Sequence, residues 1–153
     1  MHATILSRQG RRRRTLMVGA LVAVPVAGWA EAEPEVAAYK AFLAGRVPKT
    51  GCLTLEIPRI ADNGNVVPVK IAVAGPFTPG TEVRSIHLFS EKNPVAQMAV
   101  FHFPAPLPRI QVESRVRLAG TQRIAAVATL GDGSLLAATA DIVVTVSACI
   151  DGT

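Results

Sequence analysis

From residue 52 onward, short apolar and β-branched runs alternate with clusters of turn-forming residues. Gly, Pro, Asn and Asp mark the turns, and each run between them has the length and composition of a β-strand. In one run Val112, Val116 and Leu118 fall on one side, and charged residues fall on the other. The seven predicted strands are 52–57, 66–73, 82–90, 96–103, 111–118, 123–130 and 135–146.

The turns indicate how these strands pair. Asp132-Gly133 joins the last two runs and suits a hairpin, because both residues tolerate positive φ. Seven short strands with regular turns and no helix among them are typical of a sandwich. We therefore predict an all-β fold, an immunoglobulin-like antiparallel β-sandwich over residues 52–146.

A different periodicity precedes the strands. Apolar residues recur there at helical spacing, which predicts one short N-terminal helix within 33–45 that Gly45 can end. Residues 46–51, a stretch with Gly and Pro, are predicted to be a linker to the sandwich. The apolar face of this helix would consist of Val36, Tyr39, Phe42 and Leu43.

The first 32 residues have the composition of an export signal. Five arginines precede the apolar stretch 16–27, and the small residues of 28–32 follow where a cleavage site is expected. The apolar stretch is shorter than the roughly 20 residues that a membrane span needs. Arg13-Arg14 before apolar residues resembles the twin-arginine signature. We predict a cleaved twin-arginine-type signal peptide over 1–32, which sends the protein to the periplasm.

Charge and length limit the classes of function. The 153 residues suit one compact domain behind a signal segment. The formal net charge is +5, from 16 Lys and Arg against 11 Asp and Glu. Loss of the five leader arginines and Glu31 brings the net charge of the mature chain to about +1. Nucleic-acid binding is not favoured, because it requires basic residues clustered on the folded part.

The sequence indicates no catalytic residue and no metal site. His2 belongs to the leader, while His87 and His102 lie on predicted strands without Cys, Asp or Glu at ligand spacing. Glu56 lies in a predicted strand and Asp62 in a predicted turn. These positions explain the two carboxylates without a catalytic role. Nucleophile triads, phosphate loops and dinucleotide motifs are also missing from the sequence. A free-standing enzyme is therefore not favoured, and no cofactor is predicted.

Two cysteines remain. Cys52 opens the first predicted strand, and Cys149 lies in the tail 147–153, among small residues. In an exported protein the usual interpretation of two cysteines is a structural disulfide. A thiol on an exposed tail is alternatively available for reaction with another protein. We expect 147–153 to form a flexible C-terminal arm that carries Cys149.

Four segments resemble one known family, the SoxY proteins of bacterial thiosulfate oxidation (the Sox system). Residues 57–69 are similar to its "P-x-I-A-(E/D)-N-G-x-x-V-P-V" segment, and 115–122 to its "R-x-R-L-A-x-(S/T)-Q" strand. Residues 91–103 resemble the "NP…F" strand, and 131–146 fall where the family has its last hairpin. The similarity covers nearly the whole mature chain, in order.

The resemblance implies a periplasmic sulfur carrier rather than an enzyme. Such a carrier forms a heterodimer with a second β-sandwich subunit, SoxZ. Cys149 occupies the position of the family cysteine, on which sulfur intermediates are bound covalently with no further cofactor. A haem-containing enzyme loads thiosulfate, and a hydrolase releases sulfate. In some organisms a sulfane dehydrogenase acts as well.

The tail departs from the family pattern. The family has "G-G-C-G-G", whereas Ser147-Ala148 precede Cys149 here and Ile150-Asp151 follow it. A bulky side chain and a negative charge beside the thiol predict slower loading of anionic thiosulfate than on a glycine arm. The alternative is a degenerate carrier-like binding or structural subunit without sulfur carriage, its cysteines free or disulfide-bonded.

Two further interpretations stay open. Cys52 is expected to be a buried free thiol on its strand, or else a redox partner that forms a reversible disulfide with Cys149. Arg115 and Arg117 point to one side of their strand and form either a solvated face or, with a slight preference, part of the partner interface.

Overall fold

The computed structural model describes residues 36–147. In this part of the chain one short helix, α1, is followed by eight strands. The predicted signal peptide 1–32, residues 33–35 of the predicted helix, and Cys149 lie outside the described residues. The elements are α1 (Ala37–Leu43), β1 (Leu53–Glu56), β2 (Ile60–Ala61), β3 (Val67–Val73), β4 (Val83–Ser90), β5 (Gln97–His102), β6 (Ile110–Val116), β7 (Gln122–Leu130) and β8 (Leu135–Val144).

The strands form two sheets, which confirms the predicted sandwich. One sheet has the order β1-β3-β6 and the other the order β2-β8-β7-β4-β5. Neighbouring strands are antiparallel except β2, which runs parallel to β8 and pairs Ile60 with Val143. β2 is absent from the predicted strands, because two residues beside Pro58 and the Asn63-Gly64 turn are too short for a recognisable period.

Side-chain alternation explains how the sheets face each other. In β3, Val67, Val69, Ile71 and Val73 are buried between the sheets, and the residues between them are more exposed. β7 instead is buried along most of its length. It lies between β8 and β4 at the centre of the larger sheet. Both of its faces are covered, because Ile124, Ala126 and Ala128 pack in the core between the sheets, and Ala125 and Val127 pack in the cluster on the outer face.

Helix α1 covers the outer face of the larger sheet. Val36, just before the helix, is buried, and it shares an apolar cluster with Phe89 and Val127. Tyr39, Phe42 and Leu43 pack against the same cluster, which confirms the predicted apolar face. The helix ends at Leu43, and the capping residue after it, Ala44, has a left-handed φ of 49°, one residue before the predicted Gly45. Between residues 36 and 147, no helix is long and apolar enough to cross a membrane.

Candidate functional site: the root of the C-terminal arm

The last strand, β8, ends beside a segment that binds the chain beyond it. Residues 59–65, between β1 and β3, run along this end of β8 as the edge of the larger sheet. The carbonyl oxygen of Arg59 accepts a hydrogen bond from the Val143 amide (2.9 Å), and that of Ala61 accepts one from the Thr145 amide (3.0 Å). Because these bonds continue past the last paired residue of β8, the chain is held beyond the end of the strand.

Two further contacts extend this attachment. The amide of Gly64 donates a hydrogen bond of 2.7 Å to the carbonyl oxygen of Val146. The hydroxyl of Thr145 donates to the carbonyl oxygens of Asp62 and Ala61, the latter at 3.5 Å. We call residues 143–147 the arm root, because the predicted arm begins here. Every bond from segment 59–65 to the root uses a backbone atom of that segment.

The opposite side of the arm root faces the turn between β6 and β7. The hydroxyl of Thr121 accepts a hydrogen bond from the Val144 amide (3.0 Å) and donates one to the Val144 carbonyl oxygen (3.4 Å). Gly120 has a φ of 149°, and a Cβ atom there would lie 3.2 Å from the Ser147 hydroxyl. The arm root is therefore held between segment 59–65 and the 120–121 turn.

A buried polar cluster positions that turn. Gln122 is 4% exposed, and its side-chain oxygen accepts hydrogen bonds from the Ser90 hydroxyl (2.8 Å) and the Lys92 amide (2.9 Å). Asn93 accepts from the Ala119 amide (2.9 Å) and from the Gln122 side chain (3.2 Å) through its side-chain oxygen. These bonds connect the loop after β4 to residues 119–122. They also provide the buried polar groups of this cluster with the partners that such groups require.

The family-like segments of the sequence thus meet at one end of the sandwich. Segment 59–65 and the end of β8 bind each other directly. The 115–122 segment supplies Thr121, and the 91–103 segment supplies Asn93, which supports the turn that carries Thr121. The roles of Thr121 and Thr145 could not be predicted from the sequence, because both contacts join residues far apart in the chain. Gly120-Thr121-Gln122 is distinguished in the sequence only as the end of the family-like segment 115–122.

Cys52 differs from its predicted environment. It is exposed and unpaired and precedes β1, so the expectation of a buried thiol on a strand is wrong. The strand begins at Leu53, which is buried and takes the inward position. The carbonyl oxygen of Cys52 accepts a hydrogen bond from the Ala74 amide (2.8 Å), so the backbone at this residue is held.

The topology separates Cys52 from the arm root. Lys49, three residues before Cys52, pairs with Leu136 at the start of β8, whereas Ile60 pairs with Val143 near its end. The span of β8 from Leu136 to Val144 is about 26 Å at roughly 3.3 Å per residue. Cys52 therefore lies toward the start of β8, and residues 145–147 follow its other end.

His87 and His102, the two histidines within residues 36–147, lie on β4 and β5, as predicted from the sequence. His87 is half-buried, and its ring nitrogens contact the Ser85 hydroxyl (2.9 Å) and the Gln97 side chain (3.3 Å). Its ring lies 4.4 Å from that of Phe42, centroid to centroid. Burial lowers the pKa of His87, and the charge of His102 lowers it further. Over residues 36–147, no group of three or more His, Cys, Asp or Glu side chains could hold a metal ion.

Arg115 and Arg117 are both exposed, and Val116 between them packs against the core. This agrees with their predicted placement on one side of the strand. The carbonyl oxygen of Arg117 accepts a hydrogen bond from the Asn93 side chain (2.8 Å), so its backbone belongs to the network beneath the arm root. Their assignment to a partner interface remains a prediction.

Comparison with known proteins points to one family. The model of the family described as sulfur oxidation protein SoxY matches residues 39–149, which include the helix from Tyr39 onward, the sandwich and Cys149. This range contains all the segments that meet at the arm root. No curated protein sequence matches the chain.

Solved structures with a similar fold carry another description. A proposed superoxide reductase from Thermotoga maritima is 18% identical, with a TM-score of 0.54, and the match covers 63% of this chain and 93% of that protein. The superoxide reductase from Nanoarchaeum equitans is also 18% identical, with a TM-score of 0.47 and coverage of 63% and 100%. At such identity the likeness to the Thermotoga protein shows a shared β-sandwich fold and nothing of function.

Proposed function

The chain belongs to the SoxY family of sulfur oxidation proteins, and we propose that it is a periplasmic carrier that holds sulfur intermediates on Cys149 during thiosulfate oxidation. The observation that carries this proposal is the meeting of the family-like segments at the root of the arm. If the family-like segments contributed only to the core, we would not expect them to form hydrogen bonds with residues beyond β8. Here they hold residues 143–146, the four residues that precede the predicted tail 147–153.

The chemistry assigned to Cys149 has two steps. Its thiolate forms an S–S bond with the outer sulfur of thiosulfate, giving a thiosulfonate, and two electrons leave to the haem of the loading enzyme. Water then attacks the terminal sulfur, sulfate leaves with the release of two protons, and a persulfide remains on Cys149. The carrier supplies a reachable thiol, and its partners supply the catalysis.

The proposed partners follow from the family. They are a SoxZ-like β-sandwich subunit in a heterodimer, the haem-containing loading enzyme, the sulfate-releasing hydrolase and, in some organisms, a sulfane dehydrogenase. We also propose that 1–32 is removed as a twin-arginine-type signal. N-terminal sequencing of the exported protein tests this, and a mature chain that still begins at Met1 would contradict it.

Loss of the thiol tests carriage. In a strain that depends on this chain for thiosulfate oxidation, Cys149→Ser is expected to abolish sulfate production. Cys52→Ser is the matched control, because it removes the other thiol by the same substitution, at an exposed site away from the arm root. Cys52→Ser should retain sulfate production. Full activity of Cys149→Ser would contradict carriage.

The tail supports one alternative. Ile150-Asp151 replace the glycines that follow the family cysteine, so a degenerate subunit that binds partners without carrying sulfur is the second candidate. That subunit would tolerate Cys149→Ser but would fail when the sandwich is destabilised. The two candidates thus give opposite results for the same substitution.

A further inference from the structure

We propose that segment 59–65 and Thr121 act as a clamp that fixes where the Cys149 arm leaves the domain and so limits how far its thiol can reach. The functional consequence rests on the carrier role of Cys149 proposed above. The clamp itself is a property of the described residues. It assigns a positioning role to Thr121 and Thr145, neither of which would touch the sulfur cargo.

The clamp holds the arm root from two sides. On one side, Ala61 and Gly64 bind successive residues, Thr145 and Val146, through the backbone. On the other side, the Thr121 hydroxyl binds both the amide and the carbonyl oxygen of Val144. Three consecutive residues of the root are therefore bound, and an ordinary strand end, which frays into solvent, would leave them free.

Segment 59–65 is itself held in place. The carbonyl oxygen of Gly64 accepts a hydrogen bond from the Leu118 amide (2.8 Å), and Leu118 is fully buried in the core. The side chain of Asn63 accepts a hydrogen bond from the Asn65 amide (2.8 Å), which fixes the turn around Gly64. The clamp is therefore anchored to the sandwich core.

The clamp determines the free length of the arm. Cys149 is three residues beyond Val146, the last clamped residue, so its Cα atom can lie at most about 10 Å from that of Val146, at roughly 3.5 Å per residue. If the clamp opened, the last residue held by the β7–β8 pairing would be Ile142. The free length would then be seven residues, or about 24 Å. Opening thus more than doubles the reach of the thiol.

The two cysteines of the chain allow a direct test. Nitroxide labels on Cys52 and Cys149 report their separation by pulsed dipolar spectroscopy, with no cysteine added. Cys52 is a suitable reference because it is exposed and its backbone is held by the Ala74 bond. The variants are Thr121→Val, Thr145→Val and their combination, which keep side-chain size. The first removes the hydroxyl bonds to Val144, and the second removes those from the root to Ala61 and Asp62. The backbone bonds to segment 59–65 remain in all three.

Thr139→Val is the matched control. Thr139 is an exposed threonine on β8, six residues before Thr145, so the same substitution leaves the root untouched. The native protein and this control are expected to give the same narrow distance distribution. The combined variant should give a broader distribution, because only backbone bonds then hold the root, and each single variant should fall between.

A distribution in the combined variant that matches the native one would overturn the positioning role of Thr121 and Thr145. A native distribution already as wide as that of the variants would overturn the clamp itself. If the combined variant does not fold, the single Thr145→Val variant decides in the same way. The measurement needs only two labelled thiols, so it is independent of sulfur carriage. If the clamp does not exist, the expected effect of Cys149→Ser on sulfate production is unchanged. If the protein does not carry sulfur, the expected distances between the labels are unchanged.

Discussion

The amide of Gly64 binds the carbonyl oxygen of Val146 over 2.7 Å, and so joins a turn before β3 to the chain beyond the last strand. Gly64 is buried, and its own carbonyl oxygen is bound by the Leu118 amide. One turn residue thus connects three distant segments. The Asn63-Gly64 pair, which by its sequence is a turn former, also binds the chain just beyond β8.

The Thr121 contact is expected to contribute to stability. Thr121→Val removes a hydroxyl that bonds both polar backbone groups of Val144. Thr121 is itself exposed, so water can replace part of the loss, and the expected cost is about 1 kcal/mol in the free energy of unfolding. Urea denaturation measures it. Thr139→Val should change the free energy by less than about 0.5 kcal/mol, and equal effects of the two substitutions would contradict the assigned contact.

A substitution in the polar cluster beneath the turn should lower the free energy of unfolding more than Thr121→Val does. Gln122→Ala leaves the buried Ser90 hydroxyl and the Lys92 amide without their acceptor. Unsatisfied buried groups cost about 1–3 kcal/mol, and loss of the buried side chain adds to this, so we expect destabilisation near the upper end of that range. Gln111→Ala, at an exposed glutamine bonded only to Glu113 among the described contacts, is the control. A loss below about 0.5 kcal/mol for Gln122→Ala would show that the cluster is not needed.

The lowered pKa of His87 predicts that the stability of the folded protein depends on pH. Its pKa in the folded protein is lowered from 6.5, first by burial and then by the charge of His102. The unfolded chain therefore binds the proton more readily than the folded protein does. The contribution of neutral His87 to stability is fully present above pH 6.5 and is lost as the pH falls through the lowered folded pKa.

Thermal melts in buffers on both sides of pH 6.5 measure this effect. His87→Phe, which keeps a ring against Phe42, should remove most of the decline in melting temperature below that pH. His102→Phe should keep most of it, because the charge of His102 is the smaller cause of the shift. The same decline in all three proteins would assign the pH dependence to other groups.

The two cysteines are not expected to bond to each other while the clamp is closed. A disulfide requires Cα atoms about 4–7 Å apart, whereas Cys52 lies near the opposite end of β8 and the clamped arm extends only about 10 Å. Oxidation of dilute native protein should therefore leave the monomer without an internal disulfide. A monomer that has lost two hydrogens, with Cys52 and Cys149 linked in one peptide pair, would contradict this geometry and favour the reversible pair.

The sandwich could be predicted because its determinants are local. β-Branched runs, turn residues and the alternation in β6 indicate strands that agree with the structure to within about three residues. The helix face was equally readable, because Tyr39, Phe42 and Leu43 follow the helical period. β2 could not be read in this way, since its two residues are stabilised by pairing with β8 and have no pattern of their own.

The arm root could not be predicted for a related reason. Thr121 and Val144 meet only because β7 and β8 pair side by side, and no residue spacing encodes that contact. The burial of Cys52 was also wrongly predicted, because its position one residue before Leu53 decides its exposure. Cysteine type alone favours the interior, but the register of the strand places the neighbouring leucine inward instead.

Intact-protein mass spectrometry, without reductant, on the mature protein from thiosulfate-grown cells tests sulfur carriage most directly. The account predicts an added mass that corresponds to thiosulfonate or persulfide sulfur. The adduct should map to Cys149, disappear with reductant, and persist in Cys52→Ser. A bare mass with Cys149 unmodified, or an adduct found on Cys52 alone, would contradict carriage on the arm and favour the degenerate binding subunit.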